Sequence, residues 1–268
     1  MAEEFRVLRP YEYHCQLITK GQRADGRKLH DFRDLKLEVD AIRTADSSSL
    51  VKLGNTSLVC GCTTQIIKPK VGSNEPDDLV NIKIELPPIC SGPTGYRAQN
   101  TAHILTKTLK NILNDTDCLD RSNLHIEQLD SYWSIDVEIV CLNYDGSLID
   151  ASLVAMLAAL KTLKLKSNLV HEERYFSIKC NPVCSSFAII GENFVCDPNL
   201  EEETIAQSIF NITTDPSNIN LCHIIKPGGK AINMAKLKSC IEYSRSRAMR
   251  VFDCLDQKTN DTTKMDCA

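Results

Sequence analysis

The chain has 268 residues, of which 43% are hydrophobic and 25% are charged, and its formal net charge is −4. This length and apolar content are enough for one large domain or two small packed domains. The slightly acidic balance argues against a free-standing nucleic-acid-binding protein, which would usually present a basic face. The N-terminus has no long apolar run, so we expect neither a signal peptide nor a membrane anchor, and a soluble intracellular protein.

The sequence contains 13 cysteines, an odd number in a chain too long to depend on disulfide bonds. Without a secretory signal, we expect reduced thiols that are mostly buried as small apolar side chains. Cys60 and Cys62 lie two apart on a predicted strand and should share one face, whereas Cys180 and Cys184 are four apart. Neither a C-x-x-C motif nor a histidine pair with zinc spacing occurs, so we predict no metal site and no cofactor.

The first half of the chain is predicted to contain five strands and two helices. Residues 1–22 form a helical or irregular lead-in, and a polar turn follows at Asp25-Gly26. Strands are predicted at about 36–39, 49–53, 57–66, 80–86 and 133–142, with a polar loop over 67–78 and a helix over 97–114. A second helix begins with Asp150 as its N-cap, and its apolar character on nearly all sides through 160 predicts a central position.

The second half of the chain is also predicted to contain strands followed by a helix. Strands are predicted near 176–180, 184–190, 193–197, 204–213 and 220–225, and a final helix over 234–255. Alternation within 204–213 places Ala206, Phe210 and Ile212 on one face and Ile209 on the other, toward a presumed cleft. Residues 257–268 form a polar tail that we expect to be frayed. Strands followed by helices in two successive halves indicate an α+β class with helices layered on sheets.

Three segments have the residue types of a functional site, and each also has an ordinary structural interpretation. Residues 144–150 run from a strand through Asp145-Gly146 to a helix N-terminus, which suits phosphate, yet Ser147, Leu148 and Ile149 bring no positive charge. The acidic run 201–203 could bind a metal or act as an acid and a base, but a solvated loop is the favoured interpretation. Gly228-Gly229 could cradle a phosphate, although a plain turn is favoured.

Several segments, in the same order along the chain, resemble the RNase PH family. They are RADGR (23–27) with Arg33 beyond it, the stretch 44–62, ELPP (85–88), the stretch 141–160 and FVCDPNLEEE (194–203). Together they cover roughly residues 20–255. The resemblance implies an RNase PH-like fold (ribosomal protein S5 domain 2-like) with two packed β-sheet/helix halves, residues 23–166 and 167–256.

The resemblance also implies which positions matter for activity. Active members are phosphorolytic exoribonucleases, which use phosphate to release nucleoside diphosphates from an RNA 3′ end. They carry Gly-Thr-Arg at the helix N-terminus to hold the attacking phosphate, where this chain has Ser147, Leu148 and Ile149. Their two catalytic aspartates correspond to Glu203 and Ile209. We therefore predict an inactive chain, because the phosphate-binding arginine and the second acid are absent.

The same resemblance implies partners and a role. Expected partners are other RNase PH-like subunits of the RNA exosome core ring, cap subunits with S1/KH domains, and RNA threaded through the assembled ring, with no membrane contact. The chain would support 3′-to-5′ RNA processing and degradation, including rRNA maturation and mRNA turnover, in the nucleus, nucleolus and cytoplasm. Candidate RNA contacts are Arg97, Lys68 and Lys70, which flank the ELPP segment.

Two other functions stay open. An active phosphate-dependent 3′–5′ exoribonuclease of the family would need an arginine at position 149 and an aspartate at position 209, where this chain has isoleucines. An independent RNA-binding module would need a clustered basic face and salt-sensitive binding by the isolated chain.

Overall fold

The structure is a computed structural model that describes residues 2–68, 79–90, 96–126, 131–167, 170–217 and 220–265. Its helices are α1 (Ala2–Leu8), α2 (Pro10–Thr19), α3 (Tyr96–Thr116), α4 (Leu148–Thr162), α5 (Leu200–Ile205) and α6 (Met234–Met265). Its strands are β1 (Leu35–Val39), β2 (Ser47–Leu53), β3 (Thr56–Ile67), β4 (Val80–Glu85), β5 (His125–Ile126), β6 (Ser131–Asn143), β7 (Lys164–Ser167), β8 (Val170–Tyr175), β9 (Val183–Ile190), β10 (Asn193–Cys196), β11 (Ser208–Asp215) and β12 (Asn220–Ile225).

The described strands form two large sheets and one hairpin. The first sheet has the order β1-β2-β3-β6-β4, with β5 also paired to β6. In it β4 runs parallel to β6, and the other pairs are antiparallel. The second sheet has the antiparallel order β10-β9-β11-β12, and β7 pairs with β8 separately. These mixed sheets with packed helices confirm the α+β class predicted from the sequence.

Helix α4 packs on both large sheets, and its sequence explains why. Of its 15 residues, 13 are buried, so the helix has no polar face to turn toward water. On β2, the hydroxyls of Ser47 and Ser49 donate to the carbonyls of Ala159 (2.6 Å) and Ala155 (2.7 Å). The central position predicted for this helix is confirmed.

Asp150 is not the N-cap of α4, contrary to the sequence prediction. The helix begins at Leu148, so Asp150 lies in its first turn. Its carboxylate accepts hydrogen bonds from the N–H (2.9 Å) and the hydroxyl (2.7 Å) of Ser186 on β9, and it pairs with Arg247 on α6. The Arg247 guanidinium also lies 4.6 Å from the ring centroid of Phe32. Asp150 therefore joins α4 to the second sheet and to α6.

Three element predictions for the second half need correction. The predicted strand at 176–180 is absent, and Ile178 forms only an isolated bridge with Leu119, while 170–175 form β8. The strand predicted at 204–213 starts at Ser208, because α5 occupies 200–205. Helix α6 continues to Met265, so residues 257–265 are helical rather than frayed.

The extension of α6 has a packing cause. Beyond the predicted end at 255, the side chain of Asp256 pairs with Lys161 of α4 at 2.7 Å, and Thr259 is buried with its hydroxyl on the carbonyl of Leu255. Tertiary contacts thus hold a polar segment in helical form. No helix in the described ranges is long and apolar enough to span a lipid bilayer. The predicted division of the chain at 166/167 falls within β7 and stays a prediction.

Two buried arginine–carboxylate pairs connect the segment before β1 to the segment after β10. The carboxylate of Asp197 accepts hydrogen bonds from the main-chain N–H (2.8 Å), Nε (2.9 Å) and Nη2 (2.7 Å) of Arg33. Arg23 pairs with Glu202 and donates to the carbonyls of Cys196 (2.7 Å) and Asp197 (2.9 Å). Asp197 and Glu202 are both 0% exposed, so these arginines have a structural role within the fold.

The pair formed by Arg33 and Asp197 makes stability depend on pH. Burial acts to raise the pKa of Asp197, but the hydrogen bonds and the charge of Arg33 outweigh it and hold this pKa well below its ordinary value. A carboxyl whose pKa is lowered by folding stabilises the fold above its unfolded pKa of about 4, and this contribution is lost as the pH falls toward the folded pKa.

We expect Asp197→Asn to lower the free energy of unfolding at pH 7 by about 3 kcal/mol, because it leaves the Arg33 guanidinium without its buried counter-charge. The deficit should shrink below about pH 4, where the wild-type carboxyl is itself becoming protonated in the unfolded chain. Urea denaturation from pH 7 to pH 3 measures both effects. Asp25→Asn is the matched control, since Asp25 forms a partly exposed pair with Arg27 and should cost less than about 1 kcal/mol. Equal losses in the two variants would contradict this account.

Candidate functional site

The turn between β6 and α4 is covered by the segment that follows β10. Gly146 has a φ of +79°, and a Cβ there would lie 2.4 Å from the carbonyl oxygen of Pro198, so this position admits only glycine. Ser147 has a φ of +51°, and its hydroxyl donates to the same carbonyl at 3.0 Å. Arg33 donates to the carbonyl of Asp145 at 2.6 Å. The predicted turn between a strand and a helix N-terminus is thus present, but it lies against another part of the chain.

The carboxylate of Glu203 occupies the N-terminal end of α4. One of its oxygens accepts a hydrogen bond from the N–H of Ser147 at 2.7 Å, and the other accepts one from the hydroxyl of Tyr144 at 2.7 Å. Unpaired N–H groups and the positive end of the helix dipole favour an anion at this place. Here the anion is a side chain of the same protein, which explains how the turn can lack a cationic residue.

The protonation of this pair follows from its environment. Burial raises the pKa of Glu203, while the hydrogen bonds from Ser147 and Tyr144 act in the opposite direction. Burial, followed by the nearby charge of Glu203, raises the pKa of Tyr144, so its hydroxyl keeps its proton and remains a donor.

The two residues at the remaining phosphate-binding positions belong to the hydrophobic core. Leu148 is 4% exposed, and Ile149 is partly buried and packs against the same cluster. Neither side chain can donate a hydrogen bond. At residues 147–149, Glu203 therefore occupies the N–H of Ser147, and the side chains of Leu148 and Ile149 are apolar.

Ile209 is partly buried in apolar surroundings, and its orientation toward a catalytic cleft stays a prediction. It packs with Ile205 and Ala206 against an apolar cluster that includes Ile18 of α2. Phe210 lies in a different cluster, on the opposite face of β11. Alternation correctly placed Ile209 and Phe210 on opposite faces, but it wrongly grouped Ala206 with Phe210, because Ala206 precedes the strand. Ile18 of α2 belongs to the apolar cluster on the face where Ile209 lies.

The acidic run 201–203 is the first turn of α5, so its interpretation as a solvated loop is wrong. The Asn199 side chain accepts from the N–H of Glu202, and the Glu202 carboxylate accepts from the N–H of Asn199, which forms a complete capping box. Glu201 pairs with Arg6, and Glu203 binds the turn before α4. The three carboxylates point to three different partners, and among the residues described no group of His, Cys, Asp and Glu could hold a metal.

The other predicted positions divide into those the structure describes and those it does not. Lys68 is exposed directly after β3. Arg97 lies at the start of α3, but its side chain and the whole of Lys70 are outside the described residues. The three RNA contacts therefore stay predictions. The Gly228-Gly229 segment is a turn in which Lys226 donates to the carbonyl of Gly228 at 2.7 Å, in agreement with the favoured interpretation.

A cleft of about 1310 Å³ lies between the RADGR segment, the turn before α4 and helix α6. Its charged lining contains both signs: Arg6, Asp25, Arg27, Lys28, Asp31, Arg33, Asp34, Asp145, Glu201, Arg247 and Arg250. Arg33 and Arg27 already pair with Asp197, and Arg247 pairs with Asp150. The cleft lining includes neither Leu148 nor Ile149, and a polyanion would meet carboxylates throughout it.

Glu203 is the residue whose function the sequence missed, and two substitutions separate its charge from its hydrogen bonds. Glu203→Gln keeps an oxygen for the N–H of Ser147, so we expect the free energy of unfolding at pH 7 to change by less than about 1 kcal/mol. Glu203→Ala leaves that N–H and the Tyr144 hydroxyl unpaired and should lower it by about 2 kcal/mol. Urea denaturation checks both, with the exposed Glu201→Ala as the control. Equal losses for Gln and Ala would contradict the hydrogen-bonding role.

The pH dependence of the Gln variant tests the same site. Folding raises the pKa of Glu203, so its contribution to stability is fully present below the unfolded pKa of about 4.3 and is lost as the pH rises through the folded pKa. Glu203→Gln should therefore gain stability relative to the wild type between pH 5 and pH 7.

Comparisons with known proteins agree with this fold. The models of the 3′ exoribonuclease family match the chain in two parts, domain 1 over residues 31–166 and domain 2 over residues 180–247. Exosome complex component rrp43 of Schizosaccharomyces pombe is 30% identical over 259 residues, which cover 91% of this chain and 94% of that protein. Exosome complex component Rrp42 of Methanosarcina acetivorans is 31% identical over 255 residues, which cover 92% and 93%.

Solved structures give the same result. The structure of the Archaeoglobus fulgidus exosome with RNA bound to the active site has a chain that matches with a TM-score of 0.78 and 28% identity, covering 91% of this chain and 96% of that one. An archaeal exosome core matches with a TM-score of 0.81 and 25% identity, covering 96% and 100%. The RNase PH-like fold predicted from the sequence is confirmed, and the chain belongs to the 3′ exoribonuclease, or RNase PH, family.

Proposed function

We propose that this chain is a non-catalytic structural subunit of an RNA exosome core ring, of the same type as the Schizosaccharomyces pombe relative named rrp43. The observation that carries the proposal is the Glu203 carboxylate on the N-terminal end of α4, where an active member would hold its attacking phosphate. The relatives named exosome complex components and the matching chains of archaeal exosome cores support the assembly.

The absence of catalysis follows from the chemistry of phosphorolysis. An attacking phosphate needs charge-assisted donors that strengthen as negative charge develops in the transition state. Here the N–H of Ser147 is occupied, and the Glu203 carboxylate would, when ionised, repel a second anion. The side chains of Leu148 and Ile149 offer no donor, and Ile209 packs against an apolar cluster that includes Ile18.

The proposed partners follow the ring architecture of the relatives. They are other RNase PH-like exosome subunits, S1/KH-domain cap subunits, and RNA passing through the assembled channel to nucleases bound elsewhere. The chain then supports 3′-to-5′ processing and degradation, including rRNA maturation and mRNA turnover, in the nucleus, nucleolus and cytoplasm. A mixed-charge surface suits protein partners better than independent binding of RNA.

The test of catalysis is a phosphorolysis assay on single-stranded RNA with inorganic phosphate. We expect no release of nucleoside diphosphates from the wild-type chain purified away from other subunits. Ile149→Arg and Ile209→Asp, singly and together, should also release none, because groups that act as a unit are strongly non-additive and Glu203 still occupies the helix end. Ile209→Asp should in addition lower the free energy of unfolding by roughly 1–3 kcal/mol, since it puts a carboxylate into an apolar cluster. An active archaeal ring serves as the positive control.

Two results would contradict the proposal. Phosphorolysis by the isolated chain would make it an active exoribonuclease. A native mass measurement of the endogenous protein would contradict the proposed ring if it found a monomer without homologous subunits.

The candidate RNA contacts are tested in the assembled ring. Replacing Arg97, Lys68 and Lys70 together with alanine should reduce RNA cross-linking to this subunit severalfold and leave assembly intact, because each cation neutralises one phosphate. A matched triple variant, Lys36→Ala with Lys52→Ala and Arg245→Ala, removes the same charge from other exposed positions and should leave cross-linking unchanged. Equal effects of the two triple variants would place the RNA path elsewhere.

A further inference from the structure

Two cysteines meet where the chain leaving α3 runs beside the segment that leads into β9. Leu119 and Ile178 form an antiparallel bridge there. The N–H of Lys179 donates to the carbonyl of Cys118 at 2.8 Å. Cys118 and Cys180 therefore lie on two neighbouring main-chain segments, diagonally opposite each other, and hydrogen bonds hold these segments together.

The side chains of the two cysteines lie close to each other, and they differ in exposure. The thiol of Cys118 donates to the carbonyl of Cys180 at 3.2 Å. The Sγ of Cys180 in turn lies 3.5 Å from the carbonyl oxygen of Thr116. Cys118 is 0% exposed, whereas Cys180 is only partly buried. One thiol is accessible to a reagent, and the other is protected behind it.

The pKa shifts of the two thiols, like their exposure, favour reaction at Cys180. The neighbouring Cys118 thiol lowers the pKa of the Cys180 thiol, while the neighbouring Cys180 thiol, together with burial, raises the pKa of Cys118. Because the thiolate is the nucleophile, the accessible member of the pair is also the more reactive one. This is the arrangement of an attacking cysteine beside a resolving cysteine.

We propose that Cys118 and Cys180 form a dithiol site for exchange with a small-molecule disulfide such as glutathione disulfide. The Cys180 thiolate attacks one sulfur of that disulfide, the S–S bond breaks, and one glutathione thiolate leaves, so that Cys180 carries a mixed disulfide. Cys118 then gives its proton to solvent and attacks the Cys180 sulfur, which releases the second glutathione thiolate. The protein dithiol is oxidised by two electrons, and glutathione disulfide is reduced to two thiols.

Other cysteines of the chain provide controls for this site. Cys60 and Cys62 are two positions apart on β3, but both are 0% exposed, and this spacing separates their Cα atoms by about 6.8 Å, at the upper limit for a disulfide. Cys222 on β12 is partly buried and close enough to Cys180 for the two charges to interact, so it is the competing partner.

The experiment treats the native full-length chain with glutathione disulfide, blocks free thiols in acid and maps the linked peptides by mass spectrometry. We expect a Cys118–Cys180 disulfide, reduced Cys60 and Cys62, and a rise of about 5 °C in Tm that a thiol reductant reverses. Cys118→Ser should stop the reaction at the glutathione adduct on Cys180. Cys180→Ser should slow the reaction of Cys118 at least tenfold, and Cys222→Ser should leave the yield unchanged.

The wild-type peptide map decides the proposal even where a serine variant does not fold. A stable glutathione adduct on Cys180 beside a free Cys118 would overturn it, as would a link between Cys180 and Cys222. The proposal also fails if neither cysteine reacts, or if Cys60 and Cys62 react as fast as Cys180.

Discussion

The buried pair formed by Arg33 and Asp197 is the interaction on which the arrangement of the site depends. The same guanidinium that binds the Asp197 carboxylate also donates to the carbonyls of Asp145 and Gly146, in the turn before α4. It thereby holds the segment after β10 against that turn. Because α5 begins three residues after Asp197, the pair also fixes where the first turn of α5 lies. Without this pair, the position of Glu203 relative to the N-terminus of α4 would not be fixed.

The contact between Glu203 and Ser147 shows that a helix N-terminus can attract an anion without binding free phosphate. Active members of the family combine these two properties. A helix N-terminus attracts anions whether or not the protein uses it for chemistry. When the ligand is an attached carboxylate, no free phosphate has to be bound and no counter-charge is needed beside it. The geometry of the turn is then retained for packing, as the buried Leu148 and the steric requirement at Gly146 indicate. The fold of an enzyme and the chemistry of an enzyme are thus separable at the level of three or four side chains.

The sequence predicts those parts of the fold whose pattern is local. Helix α4 is recognisable because it is apolar on nearly all sides, and most strands of both sheets are recognisable by alternation. Helix α5 was missed because it has six residues, too few for a periodic pattern, and depends on the capping box and on Arg23 far away in the chain. The short, charged strands β7 and β8 carry no clear pattern either.

The candidate site, too, could be predicted from the sequence only where the pattern is local. Family resemblance identified positions 147–149, Glu203 and Ile209, but no local rule says what covers each face of a strand. Alternation places Ile209 opposite Phe210, but only tertiary packing determines that this face lies against an apolar cluster. The contact between Glu203 and Ser147 is likewise long-range, because it joins residues 56 positions apart.

The same long-range pairs bear on how the chain can fold as it is synthesised. Arg33 and Asp197 are 164 positions apart, and Arg23 and Glu202 are 179 positions apart. The RADGR segment leaves the ribosome early, but Arg23 cannot acquire its buried counter-charge, Glu202, until 179 further residues have followed. Contacts of this sequence separation close slowly, and incompletely folded intermediates expose apolar surface and unpaired strand edges in the meantime. The first sheet is therefore partly uncovered during synthesis. The surfaces around the turn before α4 reach their final form only after the acidic first turn of α5 has been synthesised.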